Sequence, residues 1–234
     1  MGAFFQYTNM AWTVDNIMYF FRFHLRKNQA GGISATDLFY AWNTEQTMYH
    51  NDIVGRWQAK GNGKVGNNIG MIQDETILTD LAPFTILSTI AISGGDVTKP
   101  SGFIYTADIR IGNSKVEHIT PDQFDAVLNS VLDPPLVADS KYYYTEYEDY
   151  YYLLPHSVTG SVILSYIAAP TDIVWGYTID GNGRQVYDVA TSVQPQWNQD
   201  TIVTICKRAL TSFGVSFKDQ DFEQFGRTAQ LTGD

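Results

Sequence analysis

Gly61-Asn62-Gly63-Lys64 comes nearest in this chain to a phosphate-binding loop, in which glycines let backbone N–H groups face a phosphate and a lysine reaches it. Such a loop also needs a glycine five positions before its second Gly and a hydroxyl residue after the lysine. Gln58 and Val65 occupy those places, so nucleotide binding is not expected. Asp180-Gly181-Asn182-Gly183-Arg184 opens like a calcium loop. Arg184, however, replaces a third oxygen ligand and Thr191 replaces the bidentate glutamate, which predicts a hairpin turn instead. His24, His50, His118 and His156 are scattered without metal-ligand spacing, so neither a metal nor a cofactor is expected. Glu146, Glu148 and Asp149 have the residue types of a glycosidase acid–base pair, but crowded onto one segment they predict a solvated edge. Cys206 is the single cysteine and falls in the apolar stripe of a predicted helix, as a small buried hydrophobe would. No residue is left to act as a nucleophile or general base, and the chain is not expected to be an enzyme.

The chain's excess lies elsewhere. Aromatic residues make up 14% of it, with 15 Tyr, 13 Phe and 5 Trp. Tyrosine and tryptophan pair a large apolar ring with a polar tip and are enriched where proteins meet. Seven tyrosines, Tyr142, Tyr143, Tyr144, Tyr147, Tyr150, Tyr151 and Tyr152, fall in one short segment. They cannot all enter one core, because each buried hydroxyl needs a partner and strand neighbours point to opposite faces. This segment is the candidate partner interface. A formal charge of −10 repels nucleic-acid phosphates, which argues against sequence-specific DNA binding and suits a surface past which DNA moves. One cysteine predicts synthesis in a reducing compartment. Met1-Gly2-Ala3-Phe4-Phe5-Gln6 lacks the basic start and apolar core of a signal peptide, and no apolar stretch is continuous enough to span a membrane.

The elements that must position these residues are predicted from periodicity. Thr13 caps a helix whose Val14, Ile17, Met18, Phe21 and Leu25 share one face, and Gly31-Gly32 stops it. Ser34 and Asp37 begin a second helix with Phe39, Trp42, Gln46, Tyr49 and Ile53 on one side. A flexible loop over Gly61–Asn68 and a helical turn over Asp74–Leu81 follow. Phe84 to Ile92 and Phe103 to Ile111 alternate with a period of two and predict a long hairpin. Thr120-Pro121 opens a helix through Leu132. Strands are predicted at Ser161–Ile167, Val174–Ile179 and Arg184–Val189. A closing helix runs from Asn198 to Phe213 with Gly214 as its stop, and a more polar one covers Lys218 to Phe225. The expected fold class is α+β, a helical body from N- and C-terminal helices with a central β-hairpin and a small antiparallel sheet. Residues 1–82 form the N-terminal part of that body, 83–140 a hairpin-containing insertion, and 141–234 the strands and helices completing it, with no linker separating independent domains.

Two groups of residues carry a resemblance. Thr13–Leu25, Gly31-Gly32-Ile33-Ser34-Ala35-Thr36-Asp37-Leu38-Phe39 and Asn43-Thr44-Glu45-Gln46-Thr47-Met48-Tyr49 make up the first. The second comprises Leu154-Pro155, Tyr166 to Pro170, Trp175, Val193-Gln194-Pro195-Gln196-Trp197, Ile202 to Leu210, Gly214, Lys218-Asp219 and Phe225. Both ends of the chain resemble virion structural proteins of tailed bacteriophages, those of crAss-like phages in particular, while Phe84 to Ser140 does not. The resemblance implies a head–tail connector, a dodecameric ring in the neck below the portal protein. It implies other neck and tail ring proteins as neighbours, genomic DNA passing through without specific contacts, and a place in the virion after assembly in the host bacterial cytoplasm. Two other classes remain open: a receptor- or carbohydrate-binding fibre or decoration module stacking ligands on the tyrosine run, and a tail-tube protein.

Overall fold

The computed structural model describes residues 12–27, 33–61, 77–131 and 134–213. In chain order the elements are α1 (Val14–Lys27), α2 (Ala35–Gly61), β1 (Thr85–Ala91), β2 (Asp96–Thr98), β3 (Phe103–Ile111) and β4 (Ser114–His118). They continue with α3 (Pro121–Leu128), β5 (Tyr142–Glu146), β6 (Tyr150–Leu154), β7 (Ser161–Ala168), β8 (Tyr177–Ile179), β9 (Gln185–Tyr187) and α4 (Gln199–Ser212). The predicted Gly31-Gly32 stop, most of the 61–68 loop, the start of the 74–81 turn, the Gly214 stop and the Lys218–Phe225 helix lie outside the described residues. Two compact units divide the chain, one of Met1–Asp80 with Pro170–Asp234, the other of Leu81–Ala169.

The helices of the first unit follow their sequence pattern. Val14, Ile17, Met18, Phe21 and Leu25 of α1 are all buried. The Thr13 hydroxyl accepts from the Asn16 N–H, and the Ser34 hydroxyl from the Asp37 N–H at 3.1 Å, satisfying amides that have no partner within their helices. In α2, Phe39, Trp42, Gln46 and Ile53 are buried, and in α4 so are Ile202, Ile205, Cys206, Ala209 and Leu210. Asn198 caps α4, accepting from the Thr201 N–H at 2.9 Å. β8 and β9 form a two-stranded antiparallel ribbon, turned by Asp180, whose carboxylate accepts from the Asn182 and Arg184 N–H groups. The predicted strand at 174–179 is regular only over β8, with Val174 bridging Val193.

The second unit overturns the expected fold class. In place of a small antiparallel sheet completing a helical body, this unit is a nearly closed, barrel-like mixed sheet of seven strands. Its order is β1-β7-β3-β4-β5-β6-β2, and every pair is antiparallel except β4–β5. The outermost strands β1 and β2 follow one another in the chain through a turn in which Ser93 and Asp96 exchange backbone hydrogen bonds of 2.9 and 3.0 Å. Both ends of the sheet therefore start from one turn, which brings it close to closure. The expected hairpin of 84–92 with 103–111 does not form, because β7 lies between β1 and β3 and pairs with both. β7 buries Val162, Leu164, Tyr166, Ile167 and Ala168, and so apolar a strand gains most from a central place. The interior collects Val97, Ile109, Val116, Tyr142, Tyr151, Leu153, Val158, Val162 and Leu164. α3 starts as expected, with Pro121 in its first turn and the Gln123 side chain accepting from the Thr120 N–H, but ends at Leu128.

Candidate partner interface

The tyrosine run folds as a hairpin. β5 and β6 pair in the register Tyr143↔Leu154, Tyr144↔Leu153, Thr145↔Tyr152 and Glu146↔Tyr151, and the Tyr147 N–H closes the turn on the Tyr150 carbonyl at 2.9 Å. Paired residues share a face, so the register sorts the seven rings. Tyr142, Tyr144 and Tyr151 turn inward with Leu153. Tyr143, Tyr147, Tyr150 and Tyr152 lie on the other face. The expectation that all seven belong to one partner surface is corrected for Tyr151, which is 0% exposed and part of the interior, and for Tyr142, which is also buried.

Three of the outward rings, Tyr147, Tyr150 and Tyr152, form a connected plate. Tyr147 stacks on Tyr150 with centroids 5.0 Å apart and meets Tyr152 edge-on at 6.4 Å. Tyr152 in turn stacks on Phe124 of α3 at 5.3 Å and packs against His156 at 4.5 Å. Tyr147 and Tyr150 stay 41% and 38% exposed, so the stack is open on its far side. Glu148 and Asp149 are exposed in the turn beside it, making the rim acidic.

The inward rings meet polar groups. The Tyr151 and Thr106 hydroxyls are hydrogen-bonded at 2.8 Å. Lys99 lies over the rings of Phe103 and Tyr151, and its ammonium is 2.8 Å from the Glu146 carboxylate. Glu146 is thus ion-paired rather than part of a purely solvated edge. Burial, together with the Glu146, Tyr105 and Asp108 side chains, pushes the Tyr144 phenol up to about 12. Burial also raises Tyr151, partly offset by its hydrogen bond to Thr106.

Beside this hairpin lies a pocket that sequence reasoning missed. β3 and β4 pair only at Arg110↔Lys115 and Ile111↔Ser114, after which β4 leaves β3 to run parallel to β5. The two strands diverge around a pocket of about 380 Å3, with Tyr105, Thr106 and Asp108 on one wall and Val116, His118 and Tyr144 on the other. Its size falls at the lower end of the range for ligand pockets. Asp108 sits 2.6 Å from Arg110 through Oδ2, while its buried Oδ1 has no hydrogen bond and lies 3.9 Å from the Lys115 ammonium. The charges of Asp108, Arg110 and Lys115 on either side of Gly112-Asn113 are visible in the sequence, but the wedge depends on strand pairing, which they do not encode.

In the first unit Cys206 is buried, and burial raises its thiol well above the usual cysteine range, as expected of an inert packing residue. Among the described residues, no group of three or more His, Cys, Asp and Glu is placed to hold a metal, and no helix is long and apolar enough to cross a membrane. No protein-family model matches the chain, and no curated protein matches it either.

Proposed function

We propose that the chain is a structural virion protein, one subunit of a homomeric ring of about twelve copies in the neck of a tailed phage. The ring joins portal and tail, surrounds the DNA path, and works through contacts rather than turnover. The observation that carries this reading is the aromatic plate. Tyr147 and Tyr150 are stacked on each other yet remain more than a third exposed. Such rings lose little conformational entropy on contact and are favoured as interface anchors. The resemblance at both ends of the chain supports the neck as the location. The charge of −10 supports a wall along which DNA slides; twelve copies carry about −120, to be offset by ions or basic neighbours.

Mass photometry on the purified protein and on disassembled particles tests the proposal. A discrete ring species is expected in both. A monomer in both, with no ring in electron micrographs of intact particles, refutes it. A trimer that retains glycans on an array favours instead a fibre module using the same plate for sugar stacking.

A further inference from the structure

We infer that the Tyr147–Tyr150 plate takes an arginine-bearing segment of a different, basic protein, and not a second copy of this chain. This rests on the reading of the plate as a contact surface and names the chemistry of what covers it. The assembly that the plate serves is then the joining of this protein to a neighbour.

Charge selects a cationic occupant. Glu148 and Asp149 lie between the two stacked tyrosines, in the turn closed by the Tyr147 N–H on the Tyr150 carbonyl, and both are exposed. β2 runs along β6 in the register Asp96↔Tyr152 and Thr98↔Tyr150, which sets Asp96 on the plate's face. α3, whose Phe124 stacks on Tyr152, adds Asp122 and Asp125 and no basic residue. None of these five carboxylates has an ion-pair or hydrogen-bond partner among the described residues, and the buried Asp96 Oδ1 lacks a donor altogether. Lys99 is 10% exposed and already paired with Glu146 at 2.8 Å. From Val116 to Gly183 the chain has one lysine, Lys141, and no arginine, and Lys141 precedes β5 at the end of the hairpin away from the turn. The plate therefore carries negative charge that nothing beside it offsets. A cation answers that charge, whereas an apolar segment or a neutral sugar leaves it as it is and a nucleic acid adds to it.

The rings select arginine among cations. Tyr147 and Tyr150 are stacked with an angle of 18° between their planes and stay open on the far side. A planar guanidinium lies flat on such a ring while its N–H groups donate to a carboxylate alongside, which a compact and strongly hydrated ammonium does less well. The chain uses this pairing in its own packing, with Arg22 over Trp175 at 5.1 Å and Arg208 over Tyr49 at 5.0 Å. A second copy is poorly equipped to supply it. Arg56 and Arg110 are paired with Asp52 and Asp108, so of Arg22, Arg56, Arg110, Arg184 and Arg208 only Arg184, exposed at the β8–β9 turn, is left to offer. The copy that brings it carries a formal charge of −10.

The test uses the full chain, with hexa-arginine and hexa-lysine peptides as probes read by fluorescence anisotropy. The wild type is expected to bind hexa-arginine about three- to fivefold more tightly than hexa-lysine. Tyr147→Ser with Tyr150→Ser is expected to bring hexa-arginine down to the hexa-lysine affinity. Glu148→Gln with Asp149→Asn is expected to weaken both peptides by about fivefold or more. Asp139→Asn with Asp172→Asn removes the same charge from exposed positions outside the plate and is expected to change neither by more than about twofold. Equal affinity of the wild type for the two peptides, an arginine preference that survives the tyrosine changes, or equal weakening by the two charge pairs overturns the inference. Wild-type oligomers that Arg184→Glu and the tyrosine pair disperse alike, by mass photometry, identify a second copy as the occupant and also overturn it. A chain that is monomeric at every concentration yet keeps the tyrosine-dependent arginine preference overturns the ring reading alone and upholds this contact.

Discussion

Replacing Asp80 by alanine should cost the helical unit about 3 kcal/mol. Asp80 is 5% exposed, and its carboxylate accepts from three side chains. The Tyr49 hydroxyl of α2 donates to Oδ2 at 3.1 Å, while the Thr201 hydroxyl at 2.9 Å and the amide of Asn198, the α4 cap, donate to Oδ1. One carboxylate therefore joins α2 to the first turn of α4. A hydrogen bond to a charged group contributes about 1.5–3 kcal/mol, and deleting the acceptor leaves its donors to find water or go unpaired. The three bonds share one acceptor, so their losses do not add, and about 3 kcal/mol is the working figure. For a chain of this size that lowers the melting temperature by roughly 6–12 °C.

Differential scanning calorimetry measures this directly. Tryptophan fluorescence gives a second probe, because the Trp197 ring lies 5.4 Å from Tyr49. Asp80→Asn retains one acceptor oxygen and the side chain's volume, and should lose less, about 1–2 kcal/mol. Asp80→Ala melting within a degree or two of wild type would show that Tyr49, Asn198 and Thr201 are satisfied without it, and the joint between α2 and α4 would need another cause.

Three further outcomes are expected. Tyr144 keeps its proton up to about pH 12 against an ordinary 10, so its contribution to stability is whole below pH 10 and is lost between pH 10 and about 12; phenolate absorbance should show it ionising after the exposed tyrosines, together with loss of the sheet's circular dichroism. Tyr147→Ser with Tyr150→Ser should leave the melting temperature within about 1 °C but weaken assembly, whereas Tyr151→Ser should cost about 3–5 kcal/mol by emptying an interior site, and equal effects from the two changes would contradict the hairpin's register. Cys206 should resist a thiol reagent in the native protein and react at once in denaturant, and fast native labelling would show that α4 is not packed as described.

The helices are legible because their information is local. The spacing of Val14, Ile17, Met18, Phe21 and Leu25 marks one face, and residues 13, 34 and 198 are side chains that cap, so periodicity and end signals agree without any distant contact. Strand existence is nearly as legible, as Ser161–Ala168 and the Asp180-Gly181-Asn182-Gly183 turn show. Strand partnership is not. The alternation of 84–92 and 103–111 is compatible with a hairpin, yet each strand lies against β7, more than fifty residues further along the chain, and that preference appears only when all seven strands compete for a closed interior. Likewise, β4's departure from β3 after two rungs leaves no trace in its composition, so the wedge went unseen.

The tyrosine run shows how much depends on register. Its sequence says only that some rings must face outward; which ones follows from Glu146 standing opposite Tyr151. A slip of one residue would bury Tyr150 and Tyr152 and expose Tyr151. A distant bulge helps to hold the register. The alternation of Phe103, Tyr105, Ala107, Ile109 and Ile111 would keep Thr106 outside, but the irregular ladder with β7 turns Thr106 in and Ala107 out. A buried threonine hydroxyl needs a partner, and Tyr151 supplies it at 2.8 Å across 45 residues of sequence. Because Tyr151 is held inward by that bond, Tyr150 and Tyr152 on either side are turned outward, where Tyr147 and Phe124 stack against them. The surface available to a partner is thus set by a polar bond inside the sheet, and Tyr151→Phe, which removes only the hydroxyl, should loosen the plate before it unfolds the protein.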